Sequence, residues 1–284
     1  MPRYAFRIVN VFAEAPLAGN PLAVFEDGRD IDDATMQALA LQFNLSETTF
    51  ILPSTRATAR VRIFTPSFEM PFAGHPTLGT AHVVRTLKDG GDAVTLEMQV
   101  GVIPVRAEGD RWTLGANAPR TRQVAASRAE LAAMLGIDVT DLAADALWVD
   151  TGSEQLVIPL ASTDAVRRAS PRAELMGRHA TATLPGGTSR SMAYVWAENA
   201  PGQVLCRFFF LKYGAVVEDP GTGSACANLG GWLVATGAKR PCALTLDQGE
   251  AVGRPCKLGL MVDDRGAIFV SGRVIELGRG VIEL

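Results

Sequence analysis

Apolar and polar positions alternate along this chain in two rhythms. Tyr4 to Phe12 and Ala23 to Glu26 are rich in β-formers, with Pro16, Gly19, Asn20 and Pro21 between them, which predicts strand, loop, strand. Met36, Leu39, Ala40 and Phe43 then fall at i, i+3, i+4 and i+7, one face of a helix, with an Asp available as its N-cap. Thr48 to Leu52 and Ala59 to Phe64 read as strands, the second with Arg60 and Arg62 outward and Val61 and Ile63 inward. Ser127 and Glu130 make a capping box ahead of Leu131, Met134 and Leu135, opening another helix. Further strands are expected at Thr95 to Met98, Val102 to Val105, Leu156 to Leu160, Met192 to Trp196, Cys206 to Phe210, Ala243 to Leu246 and Ile268 to Val270. Many strands with few helices predict a mixed α/β architecture.

The pattern also repeats approximately. A strand beginning at Arg62 leads, 12 residues on, to Gly74 in AGHPTLGTAHVV, and one beginning at Arg207 leads, 14 residues on, to Gly221 in PGTGSACANLGGWLV. Each Gly-rich turn enters a helix apolar on most sides, which must be enclosed by its own domain. Strand, Gly turn and helix is a common unit, and the identity between the copies is low. Even so, two similar domains, each wrapping a sheet around a central helix, satisfy both observations. Gly115 to Gln123 is polar, contains Pro119 and lacks apolar periodicity, so the boundary is placed there. The expected division is residues 1–118 and 119–284, with the terminal segment free to pack back across it.

Composition narrows the functional classes. At 284 residues the chain is long enough for two domains with their own cores, and 48% hydrophobic with 20% charged residues excludes a disordered or fibrous chain. The net charge of -3 gives no electrostatic footprint for nucleic acid or an anionic membrane, which leaves a small molecule as the expected partner. Arg3 and Arg7 precede an apolar stretch broken by Asn10 and Glu14, so no signal-peptide core forms there. The uncharged run from Pro220 to Ala238 holds five glycines with Thr222, Ser224 and Asn228, which suits a buried helix rather than a membrane span. Cys206, Cys226, Cys242 and Cys256 form no C-x-x-C pair, and His75, His82 and His179 complete no metal-ligand spacing. A cytoplasmic protein with reduced thiols and no metal is expected.

Free N–H groups and a partial positive charge make a helix start a carboxylate or phosphate site. Gly74 with Pro76, and Gly221 with Gly223 and Ser224, mark two such starts. Many Gly-rich starts merely turn the chain. No Lys follows either set in phosphate-loop spacing, and neither makes G-x-G-x-x-G, so no nucleotide cofactor is expected. Ser224 lies outside any G-x-S-x-G motif, which removes support for nucleophilic hydrolysis. His75 sits at the first start; a lone histidine is more often a cap or packed residue than a catalyst, but this position favours a functional role. Asp219 precedes the second turn, where a helix-cap role is the plainer account. Glu47 lies in the uncharged segment NLSETTF, a setting that suits proton transfer, although a surface Glu is the commoner outcome.

Four blocks carry a resemblance across most of the chain: GNPLAVF from Gly19, LSET from Leu45, PFAGHPTLGTA from Pro71 and EDPGTGSA from Glu218. In these the chain resembles the phenazine-biosynthesis PhzF-like family of the diaminopimelate epimerase-like superfamily. The resemblance implies two similar domains with a central helix each, an active site in the cleft between them, a homodimer and no cofactor. It implies Glu47 as the acid/base residue, with His75, Asp219, Ser224, Gly74, Gly223 and Asn20 contacting a small carboxylate substrate. The epimerase branch carries a cysteine at each helix start; here those positions read Gly74 or His75 and Pro220, which excludes two-thiol racemisation. The implied reaction is proton movement within a conjugated carboxylate, as in trans-2,3-dihydro-3-hydroxyanthranilate isomerisation. An epimerase of an amino-acid-like substrate and a non-catalytic metabolite-binding protein on the same scaffold are the alternatives.

Overall fold

The computed structural model describes residues 1–88, 90–183 and 187–284. The chain divides into two compact units, Met1–Gly115 with Ser271–Leu284, and Ala116–Val270. Among the described residues no helix is long and apolar enough to cross a membrane.

In the first unit, Arg3–Val11 pairs antiparallel with Asn20–Phe25, which pairs parallel with Glu47–Leu52. The ladder continues antiparallel to Ala59–Phe64, parallel to Ala93–Met98, then antiparallel to Gly101–Glu108 and Arg111–Gly115. Ile268–Glu283 pairs with both Arg3–Val11 and Arg111–Gly115, closing the ladder on itself. Parallel neighbours need a crossover, and helices Asp33–Phe43 and Gly74–Leu87 supply the two required here. Asp32 caps the first by accepting the Thr35 N–H at 2.8 Å, and Asn44 ends it in the left-handed region. That helix covers Phe25 and Phe50, whose rings stack 4.8 Å apart. Each such ring contributes about 1.5–3 kcal/mol by burial. Helix Gly74–Leu87 is buried from His75 through Ala81 and again at Val83 and Val84, enclosed by the strands it crosses. Gly79 permits this: a Cβ there would lie 2.6 Å from Leu22 Cδ2 and 2.9 Å from Val11 Cγ2.

The second unit repeats this order of pairings. Leu147–Asp150 pairs antiparallel with Glu154–Pro159, which pairs parallel with Ser189–Ala200. Gln203–Lys212 follows antiparallel, Cys242–Gln248 parallel and Cys256–Val262 antiparallel. The crossovers are helices Thr163–Arg168 and Ala173–His179 for the first parallel pair and Gly223–Ala235 for the second. Helix Gly223–Ala235 is buried continuously from Ala225 to Trp232, and its Gly231 would place a Cβ 2.6 Å from Val149 Cγ1. The fold is therefore mixed α/β, built from two similar domains that each wrap sheet around a central helix. Arg120–Gln123, within the polar stretch that the sequence suggests is a connection, forms an exposed strand paired with Leu147–Asp150.

The repeat extends to side chains. The Arg62 guanidinium forks onto Glu69 at 2.8 and 2.7 Å and lies 5.0 Å from the Phe64 ring centroid. Arg207 meets Glu218 at 3.1 and 2.7 Å and lies 4.7 Å from the Phe209 ring centroid. Each helix opens five residues after its glutamate, at Gly74 and at Gly223. By this register Gly223, rather than Gly221, is the counterpart of Gly74, and Ser224 is the counterpart of His75.

Candidate active-site residues

In the first unit, Glu47 opens its strand and His75 is the second residue of helix Gly74–Leu87. The fold brings these side chains, 28 residues apart in sequence, to a 2.9 Å contact between His75 Nδ1 and Glu47 Oε2. A carboxylate oxygen accepts, so Nδ1 donates in this contact. Nε2 is buried with no hydrogen-bond partner among the described residues. A buried polar atom left unserved costs free energy. Glu47 Oε1 likewise makes no hydrogen bond among the described residues, and the Glu47 side chain is 17% exposed against 5% for His75. Asn20 is buried at the start of its strand, two residues ahead of Leu22, which is Glu47's ladder partner. The sheet thus sets Asn20 and Glu47 at the same end of neighbouring strands.

In the second unit, Asp219 ends strand Ala215–Asp219 and Ser224 lies in the first turn of helix Gly223–Ala235. Thr222 precedes that helix without capping it, and its hydroxyl donates to Asp219 Oδ2. The Gln248 amide fixes this turn, donating to Asp219 O at 2.9 Å and to Thr222 Oγ1 at 3.0 Å. Ser224 Oγ accepts from Gln155 Nε2 at 2.9 Å, and Gln155 is held by the buried Asn228. Thr222, Gln248, Gln155 and Asn228 are absent from the candidates that the motifs nominate. One signal for Asn228 is readable: with Ser224 it makes an i, i+4 pair of hydrogen-bonding side chains on an otherwise apolar helix.

The two groups differ chemically. Glu47 with His75 is a carboxylate and imidazole pair able to hold or move a proton. Gly74 and Gly223 start helices whose first N–H groups have no side-chain cap, and at Gly223 a hydroxyl and a carboxylate stand beside them. Burial pushes the Cys206 thiol up to about 12 and raises Cys226 and Cys256 well above the ordinary range. These thiols are protonated at neutral pH and unsuited to act as bases. Among the described residues no group of three or more His, Cys, Asp or Glu side chains is placed to hold a metal ion.

Comparison with known proteins places the whole architecture. The family model described as phenazine biosynthesis-like protein matches residues 9–280. An uncharacterized isomerase of Pasteurella multocida is 39% identical over 98% of this chain and 93% of its own length. The trans-2,3-dihydro-3-hydroxyanthranilate isomerase of Pseudomonas fluorescens is 34% identical over 98% of each chain. Among solved structures, the phenazine biosynthesis protein of the PhzF family from Bacillus anthracis superposes with a TM-score of 0.85 over 100% of both chains at 23% identity, a likeness of fold. A hydroxyproline epimerase from Agrobacterium vitis shares the fold more distantly, with a TM-score of 0.67 at 13% identity over 99% of this chain and 93% of that one. The chain therefore belongs to the phenazine biosynthesis-like protein family and is an enzyme of the isomerase class that its full-length relatives carry in their names.

Proposed function

We propose that this enzyme moves a proton within a small conjugated carboxylate, in the manner of trans-2,3-dihydro-3-hydroxyanthranilate isomerisation, with no cofactor. Glu47 takes the proton from one carbon, the electron pair shifts through the conjugated system, and Glu47 returns a proton to another carbon. The observation that carries this reading is the 2.9 Å pairing of Glu47 with His75, which leaves the second carboxylate oxygen without a partner among the described residues. His75 holds the Glu47 side chain in one orientation for both transfers. Ser224 and the helix starts at Gly74 and Gly223 bind carboxylate or carbonyl oxygen, Asp219 orients an amine or hydroxyl, and Asn20 adds a polar contact.

Glu47→Gln keeps the size of the side chain and removes the ionisable group. Turnover of trans-2,3-dihydro-3-hydroxyanthranilate should fall by at least ~100-fold, the lower range for general acid/base catalysis, while the circular dichroism spectrum stays unchanged. In D2O the wild type should place deuterium at the receiving carbon to the extent that the Glu47 proton exchanges before its return. Full activity of Glu47→Gln on a compound that the wild type turns over would transfer the role to Asp219 or His75.

A further inference from the structure

The hydrogen bonds around Ser224 run in one direction, set by backbone groups that cannot reverse. Thr151 N–H can only donate, and it meets Asn228 Oδ1 at 3.0 Å. The Asn228 amide nitrogen is thereby turned to the Ser153 carbonyl, which can only accept, at 2.8 Å. A flipped Asn228 would set donor against donor and acceptor against acceptor at these two contacts. The same nitrogen donates to Gln155 Oε1 at 2.9 Å, so Gln155 must turn its own nitrogen to Ser224 Oγ, also at 2.9 Å. Asn228 and Gln155 are 0% and 1% exposed, so water cannot rearrange the chain of bonds. Ser224 Oγ therefore accepts a hydrogen bond from within the unit, and its own proton has no acceptor among the described residues.

We propose that Gln155, oriented by Asn228, is a positioning residue that presents the Ser224 hydroxyl to substrate as a hydrogen-bond donor, so that the substrate atom met there is an acceptor oxygen. This rests on the reading of Ser224 as a substrate contact. An ammonium group meeting Ser224 would leave the hydroxyl proton unserved, whereas a carboxylate or carbonyl oxygen satisfies it. The first turn of helix Gly223–Ala235 points the same way, because its N–H groups have no side-chain cap and favour negative charge. Thr222 does not compete for these groups, since its side chain makes no cap hydrogen bond to them.

The test compares Gln155→Glu with Gln155→Met, assayed with trans-2,3-dihydro-3-hydroxyanthranilate. The introduced side chain keeps the size of Gln155 and, ionised, can only accept, from Asn228 and from the Ser224 hydroxyl, so it turns the serine proton inward. KM should rise about 10- to 100-fold with kcat little changed, the pattern of lost ground-state binding. Gln155→Met offers Ser224 no donor and only a weak sulfur acceptor, leaves its proton free to turn to substrate, and should raise KM less, although methionine fits the polar network worse. A purely structural role reverses that ranking, and a loss with methionine equal to or above that with glutamate overturns the proposal. A second measurement needs no substrate. In protein labelled with 15N only at glutamine side chains, the Gln155 NH2 signal should shift in Ser224→Ala, because one of its protons loses its acceptor; an unmoved signal refutes the relay. Wild-type enzyme inert toward the compound would overturn the proposed reaction instead, and the amide signal would then decide the relay by itself.

Discussion

Replacing Arg207 by Met tests what holds the Asp219 turn in place. The methionine keeps an apolar stem against Phe209 but removes the guanidinium, which forks onto Glu218 at 3.1 and 2.7 Å. It also removes the donor for the carbonyls of Val166, Arg167 and Ala169, which lie 3.2, 3.0 and 2.7 Å from Arg207 Nη1 at the end of helix Thr163–Arg168. The Glu218 side chain is 8% exposed, so its charge is stranded away from water. Removing one partner of a buried pair costs about 3–5 kcal/mol, against about 0–1 for an exposed pair. In a domain of this size, that lowers the melting temperature by about 6–20 °C. Tryptophan fluorescence reports it, since Trp148, Trp196 and Trp232 lie in the same unit. Arg207→Met/Glu218→Met removes the stranded charge and should recover about half of the loss or more. A double variant as unstable as the single, or a single variant that melts within about 3 °C of wild type, would show that the pair is not what fixes this strand.

Burial holds His82 below its ordinary value of 6.5, helped by Arg85, and its Nδ1 accepts from Trp112 Nε1 at 3.3 Å. The unfolded chain therefore binds this proton first as the pH falls, so stability is full above 6.5 and declines below it; the melting temperature of His82→Gln should depend less on pH in that window. Gly231→Ala should lower the urea midpoint. A Cβ would lie 2.6 Å from Val149 Cγ1 and 2.9 Å from Pro119 Cβ, and overpacking at about 1–3 kcal/mol outweighs the roughly 1 kcal/mol that Ala gains in a helix. Iodoacetamide should label the half-buried Cys242 ahead of the buried Cys206, Cys226 and Cys256 and leave turnover intact; rapid stoichiometric inactivation prevented by substrate would contradict this.

Local chemistry explains which elements were legible. The Asp32 cap and the Ser127 and Glu130 capping box depend on residues three apart, and both form as the pattern indicates. Ala59–Phe64 exposes Arg60 and buries Val61 and Ile63, as alternation requires. Arg120–Gln123 gave no such signal because burial does not hold it there. Its ladder bonds, the Arg120 and Asp150 pair, and Arg122 stacked over Trp148 do so instead. Gly-rich turns located both central helices, but the register between the copies emerged only from the two Arg and Glu clamps. The contact of Glu47 with His75 joins a strand to a helix across an intervening hairpin, so spacing alone could nominate the residues without pairing them. Gln155 was invisible for a further reason: its role lies in which of its two amide atoms faces Ser224, and only the Thr151 and Ser153 backbone fixes that.

The closure of the first ladder by Ile268–Glu283 has a consequence for synthesis. Residues 116–270 form one continuous stretch, complete as soon as they leave the ribosome, whereas the first unit needs the last strand to emerge. Arg3 pairs with Glu283. At translation rates of about 5–20 residues per second, the edge of the first strand waits roughly 14–56 s for its partner. Through that interval, apolar residues such as Val9 and Val11 sit on an unpaired strand edge open to other chains. The half of the molecule made first is thus the half finished last, and the chain is most vulnerable to aggregation while it is still being translated.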